Sequence, residues 1–590
     1  MRFSDSLPID DVLDPLLDAL QAHRCAVLVA PPGAGKTTRV PLALRQADWV
    51  GDKKILVLEP RRLAARAAAL RLADNADGTL GGLVGLRVRL ESRISAKTRI
   101  EVITEGIFTR MILDDPELTD VAAVIFDEFH ERSLDADLGL ALALEAQQHF
   151  NPDLRILVMS ATLDGARVAD LLQGAPVLTS EGRSFPVETR YRPRDPQQSV
   201  EEAVFAIIRE AVQQEQGSIL VFLPGQAEII RMAAQVQSYL STQSALASSV
   251  IVAPLYGTLD PKAQDQAIKP CVQGRRKIVL ATSIAETSLT IEDVRIVIDS
   301  GLSRVPRYEP DLGLTRLETV RVSRASADQR RGRAGRVAAG IAYRLWAEAA
   351  DGALEPFQKP EILTSDLSSL LLDCAIWGEY EPRRLAFLDP PPQAALNEAA
   401  ALLRSLGAWD ETGRLTDLGR AIRAFGLPPR FAGMILQAAR FGQAQEAALL
   451  AALLTERGFG GEDVDLALRF ERAQRDPSPR GKTIRRLATD WAEIATQKKA
   501  EGPIKTGPFS LGGLLVFAFP ERVAKARGGQ GQFLLANGRA GQVPDFSPLA
   551  RDAWLVVAEL TGKAQSARIL SACALAEPEI ETHPVLTIVK

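Results

Sequence analysis

Short, unbroken apolar runs punctuate the first 345 residues, and an Ala- and Leu-rich stretch of helical character follows each one. The runs are CAVLVA at 25–30, KILVLE at 54–59, RIEVIT at 99–104, VAAVIF at 121–126 and RILVMS at 155–160. Strands that lack polar alternation are buried on both faces, so the pattern predicts a parallel sheet with helices packed on each side. After a Pro-containing stretch at 185–196 the pattern restarts, with SILVFLP at 218–224, SVIVAPLY at 249–256, KIVLAT at 277–282 and RIVIDS at 295–300. Two similar α/β domains in tandem are expected.

From about 355 to 506 the strand signals fade and apolar residues recur at helical spacing, as in LSSLLLDCAIWG and NEAAALLRSLGAW. Within that region ALLRSLGAWDETGRLTDLGRAI reads as a helix, a turn at 411–413 and a second helix, compatible with a winged-helix module. The remainder, to about Leu511, reads as a helical bundle. Alternating apolar segments return at LLVFAFPERVA, GQFLLANGRAG and AWLVVAEL, with Gly-rich turns between them, which is the pattern of a small β-barrel. The expected domains are 1–182, 183–352, 353–424, 425–511 and 512–590.

At 590 residues the chain has room for about four domains. With 46% hydrophobic and 24% charged residues it can bury several cores, which excludes a disordered or fibrous class. The first twenty residues carry five Asp and no continuous apolar core, so no signal or transit peptide is expected. No run approaches the length of a membrane span. Cys25, Cys271, Cys374 and Cys573 are too scattered for a CxxC pair, and only four His are present, so neither disulfides nor a zinc site is expected. A reducing cytoplasm fits that cysteine usage.

The first chemistry-bearing segment follows the run CAVLVA directly. It reads PPGAGKTT at 31–38 and leads into a helical stretch. In a phosphate-binding loop glycines let backbone N–H groups wrap the phosphates, a lysine such as Lys36 reaches the β- and γ-phosphates, and the Thr37 hydroxyl binds Mg²⁺. Ala30 replaces the first Gly of the strict pattern, and a small residue still fits there. Such a site needs a carboxylate at the tip of a neighbouring strand, and VAAVIF ends in Asp127, Glu128, Phe129 and His130. Asp127 would hold Mg²⁺ through water and Glu128 would polarise the attacking water.

The third segment, QRRGRAGR at 329–336, spaces Gln329, Arg333 and Arg336 at i, i+4 and i+7, which predicts one helix face. Arginines so placed in a second domain can neutralise charge on the γ-phosphoryl group once the domains close.

Taken in order, GAGKTT (33–38), EPRR (59–62), TEG (104–106), DEFH (127–130), SAT (160–162), FLPG (222–225), LYGTL (255–259), ATSIAETSLTIEDVRIVIDSG (281–301) and QRRGRAGR resemble the motifs of the DEAH-box helicases of superfamily two. The resemblance covers essentially the whole chain. Phe129, where the family name has Ala, points to the bacterial HrpB-type branch. The resemblance implies two RecA-like domains followed by winged-helix, helical-bundle and OB-like domains. It also implies a chain that commonly continues past the barrel, so one ending at Lys590 reads as a truncated or a short member.

The same resemblance implies roles residue by residue. Gly33, Ala34, Gly35, Lys36, Thr37 and Thr38 would cradle the phosphates of ATP. Ser160 and Thr162, with His130, would couple the nucleotide site to domain movement. Thr290 and Glu292 match positions that hold the ribose, and Arg71 matches an Arg that packs on the purine. Gln329, Arg333 and Arg336 match residues that position water and stabilise the transition state. Arg61, Arg62, Thr104, Thr258 and Thr282 correspond to residues touching phosphates and sugars of a single strand, contacts that position without reading sequence. The segment VPRYEPDLGLTRLETVRV matches the β-hairpin that serves as a strand-separating wedge, with its turn at 310–313.

Two departures from the family pattern stand out. Ile268 falls near the place of an aromatic in the adenine sandwich, which predicts one-sided stacking and weak base discrimination. Ser283 stands where Asn is common.

The expected activity is a nucleic-acid-stimulated NTPase that moves 3′ to 5′ on single-stranded RNA and unwinds duplexes, acting as a monomer without a membrane. Backbone contacts do not report the 2′-OH, so DNA stays open as a substrate. A remodelling factor that hydrolyses NTP without separating strands is the second reading.

Charge distribution fits a strand-gripping channel. The net charge of −4 argues weakly against a basic coat, but residues 304–344 hold ten Arg against four acids and residues 59–110 hold ten basic residues against six acids. Both stretches carry motifs, so positive charge is expected along a channel while the remaining surface is acidic.

Overall fold

A computed structural model gives the fold and describes residues 6–89, 91–161, 165–182, 185–257, 259, 261–271, 275–286, 291, 293–309, 314–456, 458–498, 508–561 and 567–586. The chain divides into two compact units. One comprises Met1–Arg307, Leu317–Ser365 and Arg383–Pro391, and the other Tyr308–Arg316, Asp366–Pro382 and Pro392–Lys590. Among the described residues no helix is long and apolar enough to cross a membrane.

The first unit contains both α/β domains. In the first domain the strands are β1 (Cys25–Val29), β2 (Lys54–Glu59), β3 (Val84–Val88), β4 (Glu91–Arg93), β5 (Ile100–Thr104), β6 (Val121–Phe126), β7 (Arg155–Ser160) and β8 (Val177–Thr179). They form one sheet in the order β4-β3-β5-β2-β6-β7-β1-β8, parallel except for β4 against β3. Every residue of β6 and β7 is buried, as unbroken apolar strands require. The second domain repeats the plan with β9 (Val187–Tyr191), β10 (Ser218–Phe222), β11 (Val250–Leu255), β12 (Arg276–Ala281), β13 (Val294–Asp299) and, after a hairpin of β14 (Leu302–Glu309) and β15 (Leu314–Arg321), β16 (Gly340–Arg344). Its order is β11-β12-β10-β13-β16-β9, all parallel. The hairpin is a two-stranded sheet of its own, and its predicted turn at 310–313 lies outside the described residues.

In the second unit the helices Gln393–Ser405 and Asp417–Arg423 flank a turn closed by the Gly413 N–H on the Asp410 carbonyl, with Trp409 and Leu415 paired as an antiparallel bridge. That is the helix, turn and helix the sequence predicts. Helices Pro429–Ala439, Ala444–Thr455 and Pro479–Lys498 pack together. A closed barrel follows, made of β17 (Val523–Ala526), β18 (Gln532–Leu535), β19 (Ala540–Gln542), β20 (Trp554–Thr561) and β21 (Ala567–Ala574).

One expected strand is a helix. LLVFAF was expected to begin the barrel, yet Leu511–Val516 is helical, with the Ser510 hydroxyl accepting from the Gly513 N–H as its cap. The helix is buried on all sides, so its apolar run carries no helical period to distinguish it from a buried strand. Gly512 lets it lie against β21, since a Cβ there would meet the Ala574 carbonyl oxygen at 2.1 Å.

Candidate nucleotide site

The sheet of the first domain ends in a row of polar residues. Register pairs Val29 with Ser160, Phe126 with Val158 and Leu58 with Phe126, so Ala30, Ser160, Asp127 and Glu59 follow strands that stop along one edge. Carboxyl ends of parallel strands are where such a sheet opens its ligand crevice.

Residues 30–35 form a loop between β1 and the helix Lys36–Leu44. Gly33 and Gly35 take φ of +93° and +100°, a region that L side chains avoid. At Gly35 a Cβ would also stand 2.7 Å from Leu7 Cδ1. Buried Ala34 accepts a hydrogen bond from the Ile9 N–H at 3.2 Å, and the Thr38 hydroxyl donates back to the Gly35 carbonyl at the same distance. The helix starts at Lys36, so its free N–H groups and positive dipole end belong to the crevice.

Lys36 is buried with its Nζ 3.1 Å from Glu128 Oε1 and 3.5 Å from Asp127 Oδ1. The Thr37 hydroxyl donates to Asp127 Oδ2 at 2.5 Å, and the Glu128 N–H donates to Asp127 Oδ1 at 2.8 Å. Burial opposes the charge of Lys36, but Glu128 and Asp127 outweigh it and hold the ammonium above its ordinary pKa. Burial likewise works to raise Glu128, yet Lys36 beside it, helped by His130, brings that carboxyl below the usual range. Burial and the Glu128 charge push Asp127 up, against Lys36. Of the two acids, Glu128 is the one shifted toward its ionised form.

His130 joins the acids to β7. Its Nδ1 accepts from the Ala161 N–H at 3.3 Å and lies 3.5 Å from Glu128 Oε2, while burial lowers its pKa. Ser160, at the end of β7, accepts from the Ala30 N–H at 3.0 Å. Phosphate loop, acid pair and the end of β7 are thus one hydrogen-bonded set.

The second domain supplies guanidinium groups to the same place. A Cβ on Gly33 would stand 4.0 Å from Arg336 Nε. Arg333 is buried, and its pKa is driven well below the ordinary value by burial and then by Arg336. Arg336 is pushed down to about 10, mostly by burial, with Arg71 adding to the effect against Glu128. Gln329 is half-buried. The expectation of one helix face for Gln329, Arg333 and Arg336 is corrected: the α-helix Arg324–Gly332 stops before Arg333, and Arg333–Gly335 is a 3₁₀ turn. Two glycines weaken the helix there. Gly335 also packs so closely on the chain entering the second domain that a Cβ would meet the Phe185 carbonyl oxygen at 2.5 Å.

Other expected positions are dispersed. Arg61 is engaged, with Nη2 2.9 Å from Glu131 and Nη1 donating to the Ser283 carbonyl at 3.0 Å, and so bridges the two α/β domains. Arg62 is exposed at the start of the helix Arg62–Asn75, which also carries Arg71. Thr104 and Thr282 are half-buried at strand ends, Thr104 directly before the helix Glu105–Asp114. Ile268 packs against the core of the second domain, as do Leu63 and Ala67. Thr162, Thr258, Thr290 and Glu292 lie outside the described residues.

Sequence reasoning missed Glu59, Glu286 and Arg330. Glu59 ends β2 beside Lys36, Asp127 and Glu128, buried, and burial with those two acids raises its pKa well above the carboxylate range. Its place at a strand end next to β6 was the available signal.

The donor set fits a magnesium nucleoside triphosphate. The guanidinium groups of Arg333, Arg336 and Arg71 crowd one another, an arrangement that a polyanion relieves. Buried Glu128 Oε2 has no hydrogen-bond partner among the described residues, which leaves an acceptor for a water.

Comparison with known proteins agrees with this geometry. Residues 12–171 match the family model described as DEAD/DEAH box helicase, and residues 202–338 match the helicase conserved C-terminal domain. Similar proteins include the ATP-dependent RNA helicase HrpB of Escherichia coli, 44% identical across 96% of this chain and 68% of that protein. An ATP-dependent RNA helicase HrpA homolog of Haemophilus influenzae is 34% identical across 77% of this chain and 35% of its own length. Two crystal structures of E. coli HrpB, described as a DExH-box NTPase and a DEAH/RHA helicase, superpose with TM-scores of 0.85 and 0.87 at 42% identity. They cover 99% and 97% of this chain and 70% and 71% of theirs.

Proposed function

This chain belongs to the HrpB family of DEAD/DEAH-box helicases, and from that premise we propose that it hydrolyses ATP on binding single-stranded or partly duplex RNA, moves 3′ to 5′ along it and unwinds duplexes. One observation carries the reading most of the weight: Arg336 of the second RecA-like domain reaches Gly33 in the phosphate loop of the first. Charge developing on the γ-phosphoryl group then meets cations that arrive only when the domains are together.

Lys36 and the N–H groups of residues 33–38 bind the phosphates, and Thr37, Asp127 and Glu128 would hold Mg²⁺, which supplies charge neutralisation at the phosphates. Glu128, its carboxyl drawn below the usual range by Lys36, orients the attacking water and takes its proton. Gln329 positions that water, and Arg333 and Arg336 stabilise the transition state. Arg71 packs on the purine, Thr290 and Glu292 hold the ribose, and Arg61, Arg62, Thr104, Thr258 and Thr282 lie along the strand. Domain movement is relayed by His130, Ser160 and Thr162, through the bonds of His130 to Ala161 and of Ser160 to Ala30. The finer domain division, 1–182, 183–352, 353–424, 425–511 and 512–590, belongs to the same reading, as do a monomeric state and a cytoplasmic location.

The test is ATP turnover with single-stranded RNA, single-stranded DNA or no nucleic acid, together with strand release from duplexes tailed at either end. Turnover stimulated by RNA, with release from the 3′-tailed duplex, is expected. Stimulation without strand release would instead favour a remodelling factor.

A further inference from the structure

Arg330 is, with Arg522, one of the two bulkiest fully buried side chains among the described residues, 1% exposed, and it belongs to none of the roles above. Its Nε donates to Glu286 Oε1 at 2.7 Å, and Nη2 donates to the same oxygen. Its Nη1 donates to Asp299 Oδ1 at 2.7 Å and to the Leu302 carbonyl at 3.2 Å. The Phe222 ring lies below it, 4.8 Å from centroid to guanidinium carbon. Such a fork is the geometry that arginine offers and lysine does not.

The partners give this fork its meaning. Glu286 follows the 3₁₀ turn Ser283–Ala285 after β12, and its main-chain carbonyl accepts from Arg333 Nε at 2.9 Å. The other Glu286 carboxylate oxygen accepts from Ser326 at 3.0 Å. On the far side, Leu302 is the first residue of hairpin strand β14, and Asp299 Oδ1 also accepts from the Gly301 N–H at 2.9 Å. Arg330 therefore touches the residue whose carbonyl holds Arg333 and the root of the hairpin at once. A buried charge with every strong partner spoken for has one low-energy setting, so a shift at either partner is felt at the other.

We propose that Arg330 is a positioning residue: acting through Glu286 it sets the guanidinium of Arg333 for hydrolysis and ties that setting to the root of the β14–β15 hairpin. The proposal rests on the reading of Arg333 as a residue that stabilises the transition state.

A double-mutant comparison tests it, using Arg330→Lys, Arg333→Ala and the pair in the full chain, with ATP turnover, KM and thermal melting measured in saturating single-stranded RNA. Arg330→Lys is expected to lower kcat by about tenfold or more while KM changes by less than about threefold. Added to Arg333→Ala it is expected to cost nothing further, because its effect passes through Arg333. Glu286→Gln, which keeps the size of the side chain and the main-chain carbonyl, is the second variant, and the same non-additive loss is expected of it. Wild-type kcat in either folded variant, or losses that multiply with that of Arg333→Ala, overturns the proposal. Near-normal turnover in Arg333→Ala alone overturns the finger reading beneath it, which keeps the two failures distinct.

Discussion

Lys36 holds Glu128 by an ion pair of 3.1 Å in a site closed to water on both sides, each side chain being 4% exposed. The pair draws the Glu128 carboxyl below its usual range and also occupies the ammonium beside the phosphate loop. Glu128→Gln removes the carboxylate proposed as the base and releases Lys36 at the same time. Turnover is expected to fall by about 10²–10⁴, with ATP bound at least as tightly as before. A nucleotide titration beside the rate measurement checks both halves.

Arg132, four residues beyond Glu128, makes a second buried pair. It grips Asp137 at 3.0 and 3.1 Å and Asp389 at 2.8 Å, while its carbonyl accepts from the Glu361 N–H at 3.0 Å. Asp137 is 1% exposed, so Arg132→Leu leaves a buried carboxylate without its cation, at a cost of roughly 3–5 kcal/mol. Asp389→Asn removes the partly exposed partner, and its cost is expected to stay within about 1 kcal/mol. Melting curves of the two variants, recorded side by side, measure the difference.

Glu105 is buried beneath the Ser133 hydroxyl that donates to it. Burial raises its pKa well above the carboxylate range, and Asp135, Glu131 and Glu361 add to this, against the lowering by Ser133. The folded protein then binds a proton that the unfolded chain gives up at lower pH. This stabilisation is complete below the unfolded pKa and disappears as pH rises through the folded one. Glu105→Gln cannot lose it, so the variant is expected to match the parent near the unfolded carboxylate pKa and to melt progressively higher than the parent as pH increases. Melting temperature against pH for both proteins provides the check.

The parallel sheets were legible because buried strands leave unbroken apolar runs, and the phosphate loop because PPGAGKTT puts glycine at Gly33 and Gly35, where the φ values favour it, ahead of Lys36 and Thr37. Strands β9 and β16 were not, since VETRY and GIAYR are short and carry charges that pair only after folding, as Arg190 does with Glu215 and Arg344 with Asp351. Nothing in QRRGRAGR separates Arg330 from Arg331, yet one is 1% exposed and the other 43%. That difference comes from Glu286 and Asp299, distant in sequence and beneath the same helix. The break after Gly332 was hidden for a similar reason, because the contact of Gly335 with residue 185 is tertiary.

If cations of the second RecA-like domain complete an RNA-stimulated ATPase in the first, removing them must abolish most of the stimulated turnover. ATP turnover of the parent, Arg333→Ala and Arg336→Ala, measured with and without single-stranded RNA, tests it most directly. RNA is expected to raise the parent rate, and each Arg→Ala change to lower the stimulated rate by about 10³–10⁵. A loss below about tenfold at both arginines, or a parent rate that RNA leaves unchanged, would contradict the account.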